Sequence, residues 1–170
     1  AKPTYDGSSF LPVLLGKTAQ HRSFVYGMHN NIPEGPPYPI RTISNGAYRY
    51  ILNLQPEEIY IEKHLMGWSG DGQLNNPTWA TWTGEAGADR HTYDLVKRYM
   101  HRPKEQLYHT AQDPYEMTNR ADDPTLAAIK AQLRTELERW MREQGDPGAP
   151  QDTAEALEAS RRGKHIYGPS

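Results

Sequence analysis

Between residues 124 and 145 the apolar positions recur at steps of three and four. Leu126, Ile129, Leu133, Leu137, Trp140 and Met141 fall on one stripe of a helix, with polar residues around the rest of its circumference. Asp123 is placed as the N-cap, Pro124 suits the first helical position, where its missing N–H costs little, and Gly145 supplies the stop. Upstream the pattern is that of strands. Residues 23–28 (SFVYGM) are rich in aromatic and β-branched side chains. IRTIS and AYRYILNL flank Asn45-Gly46, the pair preferred where both central residues of a hairpin turn need positive φ. Residues 105–110 (EQLYHT) read as a last strand.

Between these elements, residues 30–39 (NNIPEGPPYP) carry four prolines and a glycine, which forbids a regular ladder. Residues 59–65 fit either a further strand or a short helix, and residues 68–76 are a glycine- and asparagine-rich loop. Residues 77–83 and 91–101 look helical, the second with Leu95, Val96 and Tyr99 on one side. Residues 1–17 form a lead-in with a turn at Asp6-Gly7 and a close at Gly16. Residues 151–170 are a polar tail with at most a short helix around 152–160. The sum is α+β: an antiparallel sheet of about four strands with a long C-terminal helix on one face.

Composition narrows this only slightly. At 170 residues and 19.4 kDa the chain fits one domain with a real core. Its 21 acids against 19 bases give no general pull toward nucleic acid or an anionic membrane. Mean hydropathy is low at -0.88, yet 11 tyrosines and 4 tryptophans argue against disorder, which suggests a piece that docks on something larger. The absence of cysteine excludes disulfides, thiolate metal sites and a cysteine nucleophile within these residues. No apolar run approaches the ~20 residues of a membrane span. The opening AKPTYDGSSF shows no signal-peptide pattern and no methionine, the expectation for a processed, trimmed or partial protein.

Candidate chemistry is sparse. The seven histidines form no HxH, HxxH or HExxH pair and fit no common zinc spacing. SGDG at residues 69–72 lacks the rest of a phosphate loop, Ser8 and Ser9 sit in no GxSxG elbow, and Asp122-Asp123 lacks calcium-loop spacing. Trp79 and Trp82 are either a sugar-stacking platform or the core face of a short helix, and the general burial of aromatics favours the core. GMHNN, residues 27–31, is the best local candidate. An imidazole and two amides at a strand end, before a stiff proline loop, can present polar groups to a ligand, or the asparagines can simply form turns. The residues alone do not choose between these.

The stretch LYHTAQDPYEMTNRADDP, residues 107–124, resembles the C-terminal signature of the type I sulfatases, a strand followed by two Asp-Pro breaks and a helix. The matching residues are Leu107, Tyr108, Asp113, Pro114, Glu116, Asn119, Ala121, Asp123 and Pro124. In physical terms the first Asp-Pro ends the strand, Glu116 and Asn119 can tie down loop amides, and the second Asp-Pro caps the helix. DGSSFLPVLLG, SFVYGMHNN and YPIRTISNGAYRYILNL agree with further family segments in the same order. YPIR at residues 38–41, LERWMREQGDP at residues 137–147 and the long insert after the hairpin are most similar to the heparan N-sulfatase (N-sulfoglucosamine sulfohydrolase) branch.

The resemblance implies a C-terminal subdomain of the alkaline-phosphatase-like sulfatase fold over residues 1–147, with a polar tail over 148–170. Sulfatases act through a formylglycine made within a C/S-x-P-x-R motif and a calcium ion that stabilises the sulfate. This chain has no such motif, and the family places these groups further N-terminal. No catalytic or metal-binding residue is therefore expected here, and calcium and formylglycine belong to an N-terminal catalytic domain, the implied partner. The isolated chain is expected to be inactive. His29, Asn30 and Asn31 become candidate contacts to the sugar of a sulfated carbohydrate such as N-sulfoglucosamine, exposed at a sheet edge. Arg41 is either a structural ion-pair partner or a pocket residue, with the structural role favoured. A homodimer is compatible with the family, which also points to a periplasmic, secreted or lysosomal setting; nucleic acid and membrane are not implied partners. Without the resemblance, a free-standing carbohydrate-binding or oligomerisation module reads the same residues.

Overall fold

The computed structural model describes residues 7–31, 35–69, 72–149 and Glu158. Four antiparallel strands form a meander in the order β1 (Val25–His29), β2 (Ile40–Ser44), β3 (Tyr48–Asn53) and β4 (Glu105–His109). A one-turn helix, α1 (Leu11–Leu14), precedes the sheet, and the insert between β3 and β4 holds α2 (Lys63–Met66), α3 (Pro77–Ala86) and α4 (Arg90–Met100). After β4 the chain turns through the two Asp-Pro breaks into α5 (Ala127–Glu143). The expected α+β architecture is the observed one.

The hairpin between β2 and β3 differs from expectation by one position. Only Gly46 takes positive φ, at 91°, and Ser44 pairs with Arg49 in the register. The turn centre is therefore Gly46-Ala47, the arrangement in which a primed turn places glycine first. Asn45 precedes it, and its Oδ1 accepts from the N–H groups of Ala47 and Tyr48 at 3.1 and 2.8 Å. The asparagine side chain does the work expected of its backbone.

Alternation along the strands separates two faces. Ile43, Tyr50, Leu52 and Leu107 point toward α5 and pack with Ala121, Leu126, Leu133, Leu137 and Met141 in one core. Leu133 and Leu137 are fully buried, each stabilising the fold by roughly 1.5–3 kcal/mol. The stripe is not uniform: Ile129 and Trp140, expected in the core, are half-buried at its margin. Trp140 stacks on Tyr26 of β1 at 4.9 Å with the rings 5° from parallel. Its position over the edge strand leaves the indole only partly covered. A turn of 3-10 helix, Pro124–Leu126, leads into α5, and Asp123 caps it by accepting from Thr125 N at 2.8 Å.

The insert covers part of the other face. Tyr38, Ile40 and Tyr60 form a second buried cluster, with Ile51 and Tyr99 packed against it. The ambiguous stretch at 59–65 resolves as the α2 turn, capped by Glu62, whose carboxylate accepts from His64 N and Leu65 N. Asn76 and Asp89 cap α3 and α4 in the same way. Trp79 is buried and Trp82 is 43% exposed, so the pair is neither wholly core nor wholly platform.

The Asp-Pro loop seals the outer edge of β4. Asn119 Oδ1 accepts from Leu107 N at 2.9 Å and from Ala121 N at 3.0 Å, while its Nδ2 donates to Glu105 O at 3.1 Å. Arg120 N donates to Leu107 O at 2.8 Å. Asp113 closes the first break by accepting from Met117 N and Thr118 N at 2.9 and 2.8 Å. Glu116, expected to tie down loop amides, instead takes positive φ and pairs with Arg49 at 2.8 Å. The Asp6 turn lies outside the described residues, as does the expected tail helix apart from Glu158.

Candidate binding site at the end of the first strand

β1 is an edge strand, and its last residues carry the candidate site. Gly27 is paired with Thr42, and a Cβ there would come within 2.7 Å of the Thr42 hydroxyl. A side chain at position 27 would therefore force the Thr42 side chain to shift. Beyond it, the three polar residues take different directions.

His29 is exposed, its ring edge-on to Tyr60 with centroids 6.2 Å apart. Asn30 is half-buried; its Oδ1 accepts from Arg41 Nη1 at 2.8 Å, and its carbonyl accepts from Tyr38 N at 3.1 Å. Asn31 is 5% exposed with φ 66°. Its Nδ2 donates to the carbonyls of Pro36 and Ile61 at 2.7 and 2.8 Å, and its own carbonyl accepts from Gly35 N at 2.6 Å. Gly35 has room for no side chain, because a Cβ would lie 2.6 Å from the Asn31 amide nitrogen. The expectation of three exposed groups is corrected for Asn31. Its amide shapes the proline loop and ties it to the insert, and only His29 projects outward.

Below this loop, Arg41 is fully buried. Its Nε and Nη2 donate to the two carboxylate oxygens of Asp146 at 2.5 and 3.2 Å, and Nη1 also reaches Ile40 O at 2.9 Å. The structural reading of Arg41 holds. Bidentate pairing fixes a planar guanidinium, and here it joins the candidate loop to the chain end after α5.

An aromatic series continues from His29 across the same face. Tyr60 contacts Tyr38 and Tyr99 at 5.2 and 5.7 Å, and Tyr99 contacts Trp79 at 5.9 Å. The Arg102 guanidinium lies 4.0 Å from the Tyr60 ring centre. Burial pushes the Tyr60 and Tyr99 hydroxyls above the ordinary tyrosine value, so both remain neutral donors at physiological pH. Sequence reasoning missed Arg98 and Arg102 on this face; their spacing of four at the end of a helical stretch was the available signal. Among the described residues no three His, Asp or Glu side chains are placed to hold a metal ion.

No family model matches the chain. Its fold is found in a solved 2-O GAG sulfatase, at a TM-score of 0.52 and 20% identity, over 86% of this chain and 22% of that one. An ulvan-active sulfatase of Formosa agariphila is 34% identical over 143 residues, 83% of this chain and 25% of the relative. The N-sulphoglucosamine sulphohydrolase of Homo sapiens is 26% identical over 148 residues, 83% of this chain and 27% of the relative. The chain matches the C-terminal part of the sulfatases, with the α+β fold found there. It spans about a quarter of the length of the curated relatives it matches.

Proposed function

We propose that this chain is the C-terminal subdomain of a sulfatase that hydrolyses sulfate esters or sulfamates on a sulfated sugar. The observation that carries this reading is the similarity to sulfatases over 83% of the chain, together with the small share of each relative that it spans. The residues of this chain do not fit the family's reacting groups. The sequence has no C/S-x-P-x-R motif, and the described residues form no metal-holding cluster. Formylglycine and calcium accordingly belong to a catalytic domain encoded N-terminal to it.

The role of the subdomain is to wall the substrate pocket. His29 offers that pocket a neutral, directional group suited to a sugar hydroxyl. Asn30 and Asn31 hold the loop that presents it and can add contacts only through atoms not already engaged. The named relatives act on ulvan and on N-sulphoglucosamine, which supports a sulfated saccharide as the substrate class and N-sulfoglucosamine as one member to test.

The test is turnover by the complete protein on N-sulfoglucosamine and on O-sulfated sugars, beside the 170-residue chain alone. Sulfate release by the complete protein, and none by the chain, is the expected pair of results. Activity in the purified chain would overturn the division of labour. A complete protein that binds sulfated sugars without releasing sulfate would favour a carbohydrate-binding module.

A further inference from the structure

A groove of about 340 Å³ opens on the sheet face opposite α5, where the end of α4 meets β4 and the Asp-Pro loop. Arg98, Arg102, Gln106, Tyr108, Tyr115 and Glu116 line it. The two arginines are half-buried, and among the described residues neither forms a salt bridge; the Asp113 carboxylate is close enough to interact electrostatically with Arg98 but is tied to the amides of Met117 and Thr118. Both are nevertheless held in place. Arg98 Nη1 donates to Met117 O at 2.5 Å, and Arg102 Nε donates to Tyr99 O at 3.2 Å. The Arg102 plane lies 4.0 and 5.3 Å from the Tyr60 and Tyr99 ring centres. Glu116, the acid in the lining, is balanced by Arg49 at 2.8 Å.

Partly desolvated guanidiniums fixed by the fold without a direct ion pair are preorganised for an anion, since the ordering of the donors is already met. Tyr115, 84% exposed at the rim, adds a flat apolar face beside that charge. A planar donor pair next to an aromatic face fits a ring that carries both an anionic group and apolar C–H surface. Tyr60, buried behind the groove, contacts both Arg102 and His29 and so links the groove to the strand-end site.

We propose that this groove is a subsite for a sugar residue bearing a sulfate or a carboxylate, with Arg98 and Arg102 holding the anion and Tyr115 stacking on the ring. The assignment rests on the reading that the complete protein acts on sulfated saccharides, and it adds where a longer chain is gripped.

The test is calorimetric titration of the complete protein with a sulfated, uronate-containing tetrasaccharide and with its desulfated form. Arg98→Gln and Tyr115→Ala should each raise Kd about tenfold, as loss of one good contact does, with Arg90→Gln outside the groove as an unchanged control. Tyr115 is 84% exposed in this chain, and a melting temperature measured on the same Tyr115→Ala protein separates a loss of binding from a loss of fold. A loss confined to the sulfated form assigns the anion as sulfate, and a loss with both forms assigns it as carboxylate. Unchanged Kd in Arg98→Gln and Tyr115→Ala would overturn the subsite. Weakened binding in these variants, in a protein that releases sulfate from no sugar, would overturn the sulfatase reading and leave the subsite standing.

Discussion

Arg41 on the second strand and Asp146 beyond the last helix form a bidentate ion pair with the arginine fully buried and the aspartate nearly so. The two are 105 residues apart, and the pair joins the sheet to the segment that follows α5. Removing one partner leaves the other charge buried without compensation, which costs roughly 3–5 kcal/mol. Asp146→Ala should therefore lower the unfolding midpoint sharply. Replacing both residues together, Arg41→Met with Asp146→Leu, should cost less than the two single changes summed. A double-mutant cycle in urea checks this, and strict additivity would mean the pair is not coupled.

Asn119 supplies the second test of the frame. Its amide replaces a neighbouring strand along β4, satisfying Leu107 N and Glu105 O at the sheet edge. Asn119→Ala should cost about 1–3 kcal/mol, because a donor on a buried strand loses its acceptor. It should also raise aggregation, since the bared edge can pair with another chain. Asn119→Asp keeps the acceptor and loses the donor, so it should fall between. Unfolding midpoints with light scattering on the same samples separate the two effects.

Acid should destabilise the fold in a defined window. Hydrogen bonds from Thr125 and then Arg120 lower the Asp123 carboxyl to about 2, and Arg139 with Tyr26 lowers Glu136 to about 2. Glu105 is lowered chiefly by the Tyr50 hydroxyl, and Asp113 by the amides of Met117 and Thr118. These folded values lie below the unfolded ones, so the folded state binds fewer protons on acidification. The stability they contribute is present above the unfolded pKa near ~4 and is lost as pH falls toward ~2. All four groups are half-buried near the surface and within reach of solvent, so each contribution is small and screened by salt. Asp123→Asn keeps an N-cap but removes one titrating group. Its urea midpoint should fall less steeply than wild type between about pH 5 and pH 2. Identical slopes would remove Asp123 from the acid response.

The α5 stripe and the strand positions were legible because they are local. A period of three and four, or a run of β-branched and aromatic residues, shows where an apolar surface must be covered. What the pattern could not show were choices made between distant residues or by side chains standing in for backbone. Nothing near Arg41 announces Asp146, since the pairing exists only once α5 has crossed the sheet. Asn45 displaced the expected turn by one residue because its Oδ1 meets two turn amides. Asn31 looked identical to Asn30 in the sequence. Its inward role depends on Ile61, 30 residues away, which the insert brings to the loop. The arginines of the groove escaped notice because the tyrosines that hold Arg102 come from the segment before α2 and from α4 itself.

The same contrast between neighbours gives the most direct test of the strand-end site. His29 is exposed and Asn31 is buried with its amide nitrogen donating to two carbonyls, so substitution should separate binding from folding. In the complete protein, His29→Ala should leave the melting temperature nearly unchanged and raise KM for a sulfated sugar. If the lost contact is equally strong in ground and transition states, kcat stays close to wild type. Asn31→Ala removes two hydrogen bonds to Pro36 and Ile61 and leaves a non-glycine residue at φ 66° without its local bonding. It should cost about 1–3 kcal/mol of stability and loosen the proline loop, with any kinetic effect following the lost fold. Thermal melts run beside steady-state kinetics decide the matter. A His29→Ala protein with wild-type KM would remove the imidazole from the substrate wall, whatever the behaviour of Asn31.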